Sequence, residues 1–599
     1  MHDPRALLGE RLAARRTTVA ALERRDARIA GSRLAAFLAL AAIAGLAFTR
    51  RAAWGWALVP GAAFLGLVVL HGRALEALAR ARRAVRFHED ALARADLAHA
   101  GTGDAGERYA PEDHPYAQDL DLFGRGALFE LLCAARTRPG ADALAAMLLA
   151  PAAAGEVRAR QAAVADLAPR LDLREDLAVA GEDVRSEVDA ERLAAWGEAP
   201  RAMPRWPAAP AALLGAASMA ALVGWFAGVV PGVAFAALVL ADWMFLRLLK
   251  VPIAHVLAGV ERPAAELEVL SALLARVERE PFRAPKLTAL RGALGAGPGA
   301  ALGQGRGTAS HRIAQLARTV DRAAWAENQL FAPVAFLLLW RVHGSLAVER
   351  WRAEYGRALR GWLQATGELE ALASLAGHAF LHPEDPYPEL DDGGARYEAE
   401  GLGHPLLPED RCVRNDVRLG EGARLLVVSG SNMSGKSTLL RTIGANAVLA
   451  LAGAPVRARR LRLSPLRLGA TLRIQDSLAE GRSRFFAEIT RLRQVLDLAA
   501  GAPPALFLLD ELLAGTNSRD RRIGSEAVLR SLLGRGAIGL VTTHDLALAE
   551  LADALPGAAN AHFEDELRAG EVAFDYRLKP GVVTRSNALA LMRAVGLDV

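Results

Sequence analysis

The fold of the C-terminal part of this chain is decided by Gly430-Ser431-Asn432-Met433-Ser434-Gly435-Lys436-Ser437-Thr438. This stretch follows an apolar run, 425–428, that is typical of a buried parallel strand, and it precedes a helical pattern over 439–443. A strand, a glycine-bounded loop, a Lys-Ser pair and a helix form the context in which backbone N–H groups curl around phosphate. We therefore expect Lys436 to reach the terminal phosphates of a nucleotide and Ser437 to bind Mg²⁺.

Two further apolar runs end in polar residues that would complete such a site. The run 505–509 ends at Asp510, expected to hold Mg²⁺ directly or through water, and at Glu511, expected to orient or deprotonate the attacking water. The run 539–543 ends at His544, at the sheet edge where ligands bind in open α/β folds, in position to sense the terminal phosphate. Each run by itself is equally typical of an ordinary strand with a solvated end.

A fourth motif, 476–488, contains Ser483 and Glu488 ahead of a helical pattern. By spacing alone it predicts a capped helix start. Together, the motifs Gly-x-Asn-Met-x-Gly-Lys-Ser-Thr, Asp-Ser-Leu-x-x-Gly-x-Ser-x-Phe-x-x-Glu, Leu-Asp-Glu-Leu-x-x-Gly-Thr-Asn and Thr-Thr-His resemble the ATPase domain of the MutS family, one of the ABC-type ATPases. Asn432 and Met433 are the most discriminating residues of this resemblance.

The resemblance implies an α/β P-loop fold that uses ATP and Mg²⁺, with 430–438 as the nucleotide-binding loop. It implies catalytic roles for Lys436, Glu511 and His544, and a homodimer in which Ser483 completes the partner subunit's site. The sequence also departs from the family pattern. Ser431 and Ser434 stand where the family usually has Pro and Gly, and Cys412 replaces an aromatic residue that stacks on adenine in many members.

Composition predicts several domains and excludes a disulfide framework. The chain has 599 residues, of which 52% are hydrophobic, a net charge of +5, and only two cysteines, Cys133 and Cys412. Two cysteines cannot form a zinc cluster, and they suit a reducing compartment. The mildly basic balance permits nucleic acid or anionic lipid as a partner without selecting either.

Two apolar blocks are predicted to form transmembrane helical hairpins. The first, at about 34–70, is interrupted by Thr49-Arg50-Arg51, and the second, at 207–249, is split by the turn 228–232. The alternative is an Ala-rich helical pair buried inside a bundle. Arginines flank the bases of both hairpins, so the positive-inside rule places the ATPase domain in the cytoplasm and the protein in the cell (inner) membrane. Asp242 is the one acid inside the second block.

The fold class is therefore multidomain, with an all-α core and lever region that carries the two hairpins and a C-terminal α/β P-loop ATPase domain. The predicted division is N-terminal helices with the first hairpin at 1–98, a linker at 99–118, helical core and lever at 119–206, the second hairpin at 207–249, further helical core and lever at 250–380, a linker at 381–395, and the ATPase domain at 396–599. The mismatch-reading domain of the family has no counterpart in this division.

Three functions remain in competition. The favoured one is a membrane-anchored ATPase whose dimeric site moves helical levers that act on the bilayer or on an unknown protein partner. The second is a DNA-binding repair or recombination factor that recognises mismatched or branched DNA. The third is an ABC-type transporter, although two short hairpins make a poor translocation path.

Overall fold

The computed structural model describes residues 3–111, 113–181, 190–260, 264–295, 307–329, 331–431, 434–473, 484–545, 548–550, 552, 555–568 and 571–582. By internal contacts the chain divides into two compact units. The first unit comprises Met1–Ala95, Leu171–Arg279 and Gly297–Arg357. The second unit comprises Asp96–Arg170, Glu280–Ala296 and Ala358–Val599.

Helices dominate the chain before residue 382. They are α1 (Pro4–Phe48), α2 (Leu58–Ala95), α3 (Leu128–Leu132), α4 (Arg138–Leu149), α5 (Ala154–Leu167), α6 (Leu171–Gly181), α7 (Ala190–Glu198), α8 (Ala208–Phe226), α9 (Gly232–Leu248), α10 (Lys250–Leu257), α11 (Ala264–Glu278), α12 (Pro285–Gly295), α13 (Ala309–Ala324), α14 (Ala332–Leu337) and α15 (Trp340–Leu381). Among the described residues of the C-terminal part, the helices are α16 (Lys436–Ala452), α17 (Arg484–Ala499) and α18 (Ser518–Gly534). A helical region followed by an α/β domain is thus confirmed.

The apolar blocks of the sequence form two helical pairs in the first unit, α1 with α2 and α8 with α9. Three segments are long and apolar enough to cross a membrane: α1, α8, and α2 taken together with the short helical turn Trp54–Ala57 that precedes it. The pair α9 and α10, which is bent by 56°, is a fourth if it forms one span. Their large apolar side chains face outward; Phe48 and Val233, for example, are each 83% exposed. Asp242, by contrast, is the buried residue of α9. The core of the first unit therefore leaves these apolar surfaces uncovered.

The base of the first helical pair is held by polar contacts. The imidazole of His71 lies 3.0 Å from the carboxylate of Asp26, between α2 and α1. Deeper in the unit, the buried ring of His88 contacts Glu175 at 3.1 Å, and Arg15 binds the same carboxylate at 2.6 Å. Because a buried carboxylate needs compensating partners, these contacts fix α6 against the helical pair.

The second unit is built around a six-stranded sheet. The strands of this unit, which belong to three sheets, are β1 (Glu389–Leu390), β2 (Tyr397–Leu402), β3 (Asn415–Leu419), β4 (Leu425–Ser429), β5 (Arg460–Leu463), β6 (Arg467–Thr471), β7 (Ala505–Leu509), β8 (Ile538–Thr543), β9 (Ala558–His562), β10 (Asp565–Arg568), β11 (Glu571–Phe574) and β12 (Lys579–Pro580). The order in the large sheet is β12-β9-β4-β8-β7-β6, parallel except for β12, and β1-β5-β2-β3 form a second sheet. Strands β10 and β11 pair with each other.

The central strands are covered on both faces, as their continuous apolar sequences predict. Every residue of β7 and β8 is buried. Phe507 and Leu509 belong to the hydrophobic cluster that contains residues of α17 and α18. Leu508, which points to the opposite face, lies against Gly444 of α16. The sheet is therefore sandwiched between α16 and the pair α17–α18.

Residues 114–121 pack onto the edge of this sheet within the second unit, although composition assigns 99–118 to a linker. The N–H of Ala470 in β6 donates to the carbonyl oxygen of Pro115 at 2.7 Å. Asp119, which is 1% exposed, accepts hydrogen bonds from the backbone N–H groups of residues 472 and 473 and from the guanidinium of Arg491, at 2.7, 2.9 and 2.6 Å. Leu120, also buried, fills the space beside Gly444. This segment is part of the core of the second unit.

Candidate nucleotide-binding site

The loop between β4 and α16 has the backbone geometry that its glycines predict. Gly435 has a φ of +103° and directly precedes the first residue of α16, Lys436. A side chain there would be strained by the backbone and would lie 3.1 Å from the ring of Tyr576. The hydroxyl of Ser434 donates to the carbonyl oxygen of Ser431 at 2.8 Å and so closes the loop on itself. The N-terminus of a 17-residue helix therefore opens directly behind the loop, which favours an anion.

Lys436 lies beneath this loop and is only 5% exposed. Its Nζ donates to the carbonyl oxygens of Gly430 at 2.8 Å and of Ser431 at 2.7 Å. Burial lowers the pKa of the Lys436 ammonium, and the carboxylates of Glu511 and Asp510 oppose that shift. An ammonium has three donors, so one remains for a ligand on the open side of the loop.

The acidic pair and the histidine come from neighbouring strands. Because β8 lies between β4 and β7, the carboxyl ends of all three strands meet at one sheet edge. The hydroxyl of Thr542 donates to the carboxylate of Asp510, and it also accepts a hydrogen bond from the N–H of Glu511 at 3.2 Å. The carboxylate of Glu511 contacts Nδ1 of the exposed His544 at 3.2 Å. Thr542 thus fixes both acids, and it was not singled out in the sequence.

A cavity of about 800 Å³ lies beside the loop. The motif residues that line it are Gly435, Lys436, Ser437, Thr438 and Glu511, so it reaches the second acid of the pair. Cys412 and His404 line another part of the wall. Burial lowers the pKa of His404 to about 4, so its imidazole is neutral at neutral pH. Of the remaining candidates, Asn432, Met433 and Ser483 lie outside the described residues.

Tyr576 lines the same cavity and is a residue that motif analysis missed. Its ring is 44% exposed and belongs to the stretch Phe574-Asp575-Tyr576, more than 130 residues after the loop that it faces. Asn415 holds this stretch: its side-chain amide donates to the carbonyl of Tyr576 at 3.0 Å and accepts from the N–H of Leu578 at 2.8 Å. The aromatic surface that Cys412 does not supply is therefore available from Tyr576.

The donor set fits a Mg²⁺–nucleotide better than a metal held by protein alone. Among the described residues, no group of three or more His, Cys, Asp or Glu side chains is placed to hold a metal ion. Mg²⁺ commonly takes one or two protein ligands and completes its shell with water and substrate phosphates. Ser437 and Asp510 are the side chains suited to that role.

Comparison with known proteins agrees with this geometry. The family model for MutS domain V matches residues 426–598. Endonuclease MutS2 of Thermus thermophilus is 39% identical over 205 residues, which are 34% of this chain and 27% of that protein. DNA mismatch repair protein MutS 2 of Halobacterium salinarum is 35% identical over 253 residues, 41% of this chain and 28% of that protein. DNA mismatch repair protein MutS of Natronomonas pharaonis is 32% identical over 287 residues, 47% and 31% respectively.

A strand–loop–helix with a buried lysine, beside an acidic pair on a parallel sheet, defines the C-terminal part as an α/β domain of the kind that carries a glycine-bounded loop before a helix. Within that class, residues 426–598 match MutS domain V, so the C-terminal domain is similar to that of the MutS family. The matched parts cover less than a third of the length of each of these relatives.

Proposed function

We propose that this chain binds ATP with Mg²⁺ and hydrolyses it, and that apolar helices anchor it in a membrane. The observation that carries the enzymatic part is the cavity of about 800 Å³ that is lined both by the start of α16, residues 435–438, and by Glu511. A loop suited to phosphate and an acid in one cavity are what transfer of a phosphoryl group to water requires.

Each polar group of the cavity has a distinct task in this proposal. The free donor of Lys436 binds the terminal phosphate, and the helix N-terminus behind the loop stabilises negative charge on it. Ser437 and Asp510 would hold Mg²⁺, which supplies charge neutralisation to the phosphates. Glu511 accepts a proton from the attacking water. His544 contacts the Glu511 carboxylate and orients that carboxylate.

The base of the nucleotide would stack on Tyr576. The ring lies directly beside Gly435, at the mouth of the phosphate-binding loop. Aromatic stacking of a base contributes about 1–3 kcal/mol in nucleic-acid complexes, so a comparable contribution to ATP affinity is expected here. Ser483 would complete the site of a partner subunit in a homodimer, and closure of that dimer would move the helical levers.

The membrane part of the proposal is supported by the exposed apolar surfaces of α1, α2, α8 and α9. Val229 and Phe226, at the turn of the second pair, are 78% and 77% exposed. Contiguous apolar surface of this extent is costly in water and matches the hydrocarbon thickness crossed by about 20 helical residues. The flanking arginines orient the second unit, with the nucleotide site, toward the cytoplasm.

Two substitutions test the enzymatic proposal in the purified full chain. Lys436→Ala should abolish ATP binding, whereas Glu511→Gln should bind ATP and lose turnover by about 10²- to 10⁴-fold. Glu421→Gln is the matched control, because the Glu421 side chain is 87% exposed and precedes β4 in the chain, whereas the loop of the site follows β4. Turnover at the wild-type rate by the Glu511→Gln protein contradicts the role given to Glu511.

Cysteine accessibility in intact cells tests the anchoring and its orientation. A Val229→Cys variant should react with a membrane-impermeant maleimide added outside the cytoplasmic membrane. An Ile523→Cys variant, exposed on α18, should react only after permeabilisation. Recovery of the protein in the soluble fraction, or reaction of both cysteines from the same side, would refute the anchoring.

DNA binding is the second candidate, favoured by the names of the two archaeal relatives, both DNA mismatch repair proteins. It predicts salt-dependent affinity for duplex DNA with a preference for mismatches or branched junctions. Titration of labelled homoduplex, mismatched duplex and four-way junctions at several salt concentrations measures this. Equal, weak binding to all three would remove DNA recognition from consideration.

A further inference from the structure

In the first unit, α13 and residues 340–357 of α15 form an antiparallel hairpin with an apolar tip. The indole N–H of Trp351 donates to the carbonyl of Arg312 at 2.8 Å, and the indole N–H of Trp340 donates to the carbonyl of Arg322 at 2.6 Å. These pairs run in opposite directions along the two helices, so the described residues 325–329 and 331–339 form the tip between them. The Trp340 bond adds a second donor to the carbonyl of Arg322 in the last turn of α13, which also accepts from the N–H of Trp325.

The tip is apolar and rich in aromatic residues. Residues 328–340 contain no charged side chain. The rings of Trp325 and Phe331 lie edge to face at 6.4 Å, and those of Phe331 and Trp340 at 5.4 Å. Trp325 is 58% exposed and Val334, on α14, is 38% exposed. The chain then reverses at Leu339, whose φ is +49°, before α15 begins. The tip therefore presents apolar side chains outward from a tight reversal.

This tip lies against the second apolar helical pair, since α14 contacts both α8 and α9. A Cβ on Gly215 of α8 would lie 3.2 Å from the carbonyl oxygen of Leu337, so the two backbones touch there. Gly215 is seven residues beyond Ala208, where α8 begins. At 1.5 Å per residue, the contact lies about 10 Å along α8 from its cytoplasmic end.

We propose that residues 325–329 and 331–340 belong to a re-entrant element that enters the cytoplasmic leaflet beside α8 and α9. This inference rests on the proposed membrane anchoring by that helical pair. Val334 and Pro333 face the acyl chains, while Trp325 lies at the level of the headgroups, where amphipathic indoles are favoured. Arg322 and Arg341 flank the tip on its two sides and remain with the anionic headgroups. Non-spanning backbone is tolerated at this depth because protein covers one side of it and several of its carbonyl oxygens accept backbone hydrogen bonds, among them those of Asn328, Phe331 and Val334.

The occupant of this surface is lipid rather than a second protein copy, because the surface continues the lipid-facing surface of α8 and α9. The exposed side chains of those helices, such as Leu240 and Leu213, are uncovered in the same way as Val334. A bilayer that surrounds α8 at Gly215 must also meet the segment packed against it there.

Depth-dependent fluorescence quenching tests the proposal in the full chain. Single cysteines at Val334, Trp325, Leu240 and Ile523 are introduced into a chain that carries Cys133→Ala and Cys412→Ala. Each variant is labelled with the fluorophore NBD and reconstituted into phosphatidylcholine vesicles that contain anionic lipid. Lipids brominated near the headgroup or near the chain end then quench the label. We expect chain-end bromines to quench position 240 most strongly, headgroup-proximal bromines to quench positions 334 and 325, and neither to quench position 523.

The outcomes separate this inference from the anchoring on which it rests. Quenching at position 240 with none at 334 and 325 overturns the re-entrant element and leaves the anchoring intact. Absence of quenching at 240 as well overturns the anchoring itself. Labels at 334 and 325 that are shielded from all brominated lipids, and become exposed when the protein is diluted, would assign the tip to contacts between copies and overturn the lipid assignment. Using two positions guards against misfolding of either variant.

Discussion

The contact between Leu120 and Gly444 is expected to control the stability of the second unit. An alanine methyl at position 444 would lie 2.4 and 2.7 Å from the two terminal carbons of Leu120, and 3.0 Å from one terminal carbon of Leu508. Because carbon atoms at contact are about 3.5–4.0 Å apart, Leu120 must move by roughly 1 Å. Overpacking of this kind costs about 1–3 kcal/mol, partly offset by the ~1 kcal/mol helix preference of Ala over Gly.

Truncation of the other partner in this contact, Leu120, has the opposite effect and leaves a void. Leu120 is 1% exposed, so Leu120→Ala should destabilise by about 2–5 kcal/mol. In the double variant the alanine at 444 no longer meets a leucine and fills part of that void. The double variant should therefore lose about 1–3 kcal/mol less than the sum of the two single losses. The favourable coupling is the signature of direct contact.

Urea titration of the purified chain in detergent, followed by brief proteolysis of unfolded molecules, measures these free energies of unfolding. Leu529→Ala is the matched control: Leu529 is equally buried, but it lies in α18 on the other face of the sheet. Its loss should add to that of Gly444→Ala. If the Leu120 and Gly444 losses also add to within about 0.5 kcal/mol, the proposed packing of this segment onto α16 is wrong.

Three further predictions concern the nucleotide site and its surroundings. Tyr576→Ala should weaken ATP binding about tenfold by fluorescence titration, since one stacking interaction is lost, while Tyr576→Phe should bind normally. Thr542→Val should lower turnover by more than about tenfold at unchanged ATP affinity, because Asp510 and Glu511 lose their shared partner, and Thr542→Ser should restore it. Burial, reinforced by the neighbouring Glu384, raises the pKa of Asp385 to about 7. The contribution of Asp385 to stability is therefore present below about pH 4 and is lost as pH rises through 7. Asp385→Asn should flatten this loss when the free energy of unfolding is measured from pH 4 to 8.

The local part of the candidate site could be predicted from the sequence because each motif is short and continuous. The strand before Gly430, the helix after Lys436 and the acids after β7 all follow from apolar runs with polar ends. The sequence could also predict that a helical region precedes an α/β domain. In each case, neighbouring residues in the chain are neighbours in space.

The remaining features depend on contacts between residues that are far apart in the chain. Tyr576 meets Gly435 only because β9 and β12 return the chain to β4, and no local pattern marks that aromatic residue. Asp119 binds the backbone at 472 and 473 from more than 350 residues away, in a stretch whose Gly, Pro and acidic composition indicates a linker. A Gly-, Pro- and acid-rich composition indicates a flexible chain when the segment is considered alone. In the folded protein, the three hydrogen bonds accepted by the buried carboxylate of Asp119 hold the segment in place.

Both margins of the six-stranded sheet carry a proline. On one side, the carbonyl oxygen of Pro115 accepts a hydrogen bond from the N–H of Ala470 in β6. On the other side, Pro580 belongs to the edge strand β12. Proline has no amide hydrogen to offer to another strand. Extension of the sheet by a second molecule is thereby disfavoured at either margin, which protects the domain from edge-to-edge polymerisation. Pairing of two such molecules through the margins of the six-stranded sheet is accordingly disfavoured.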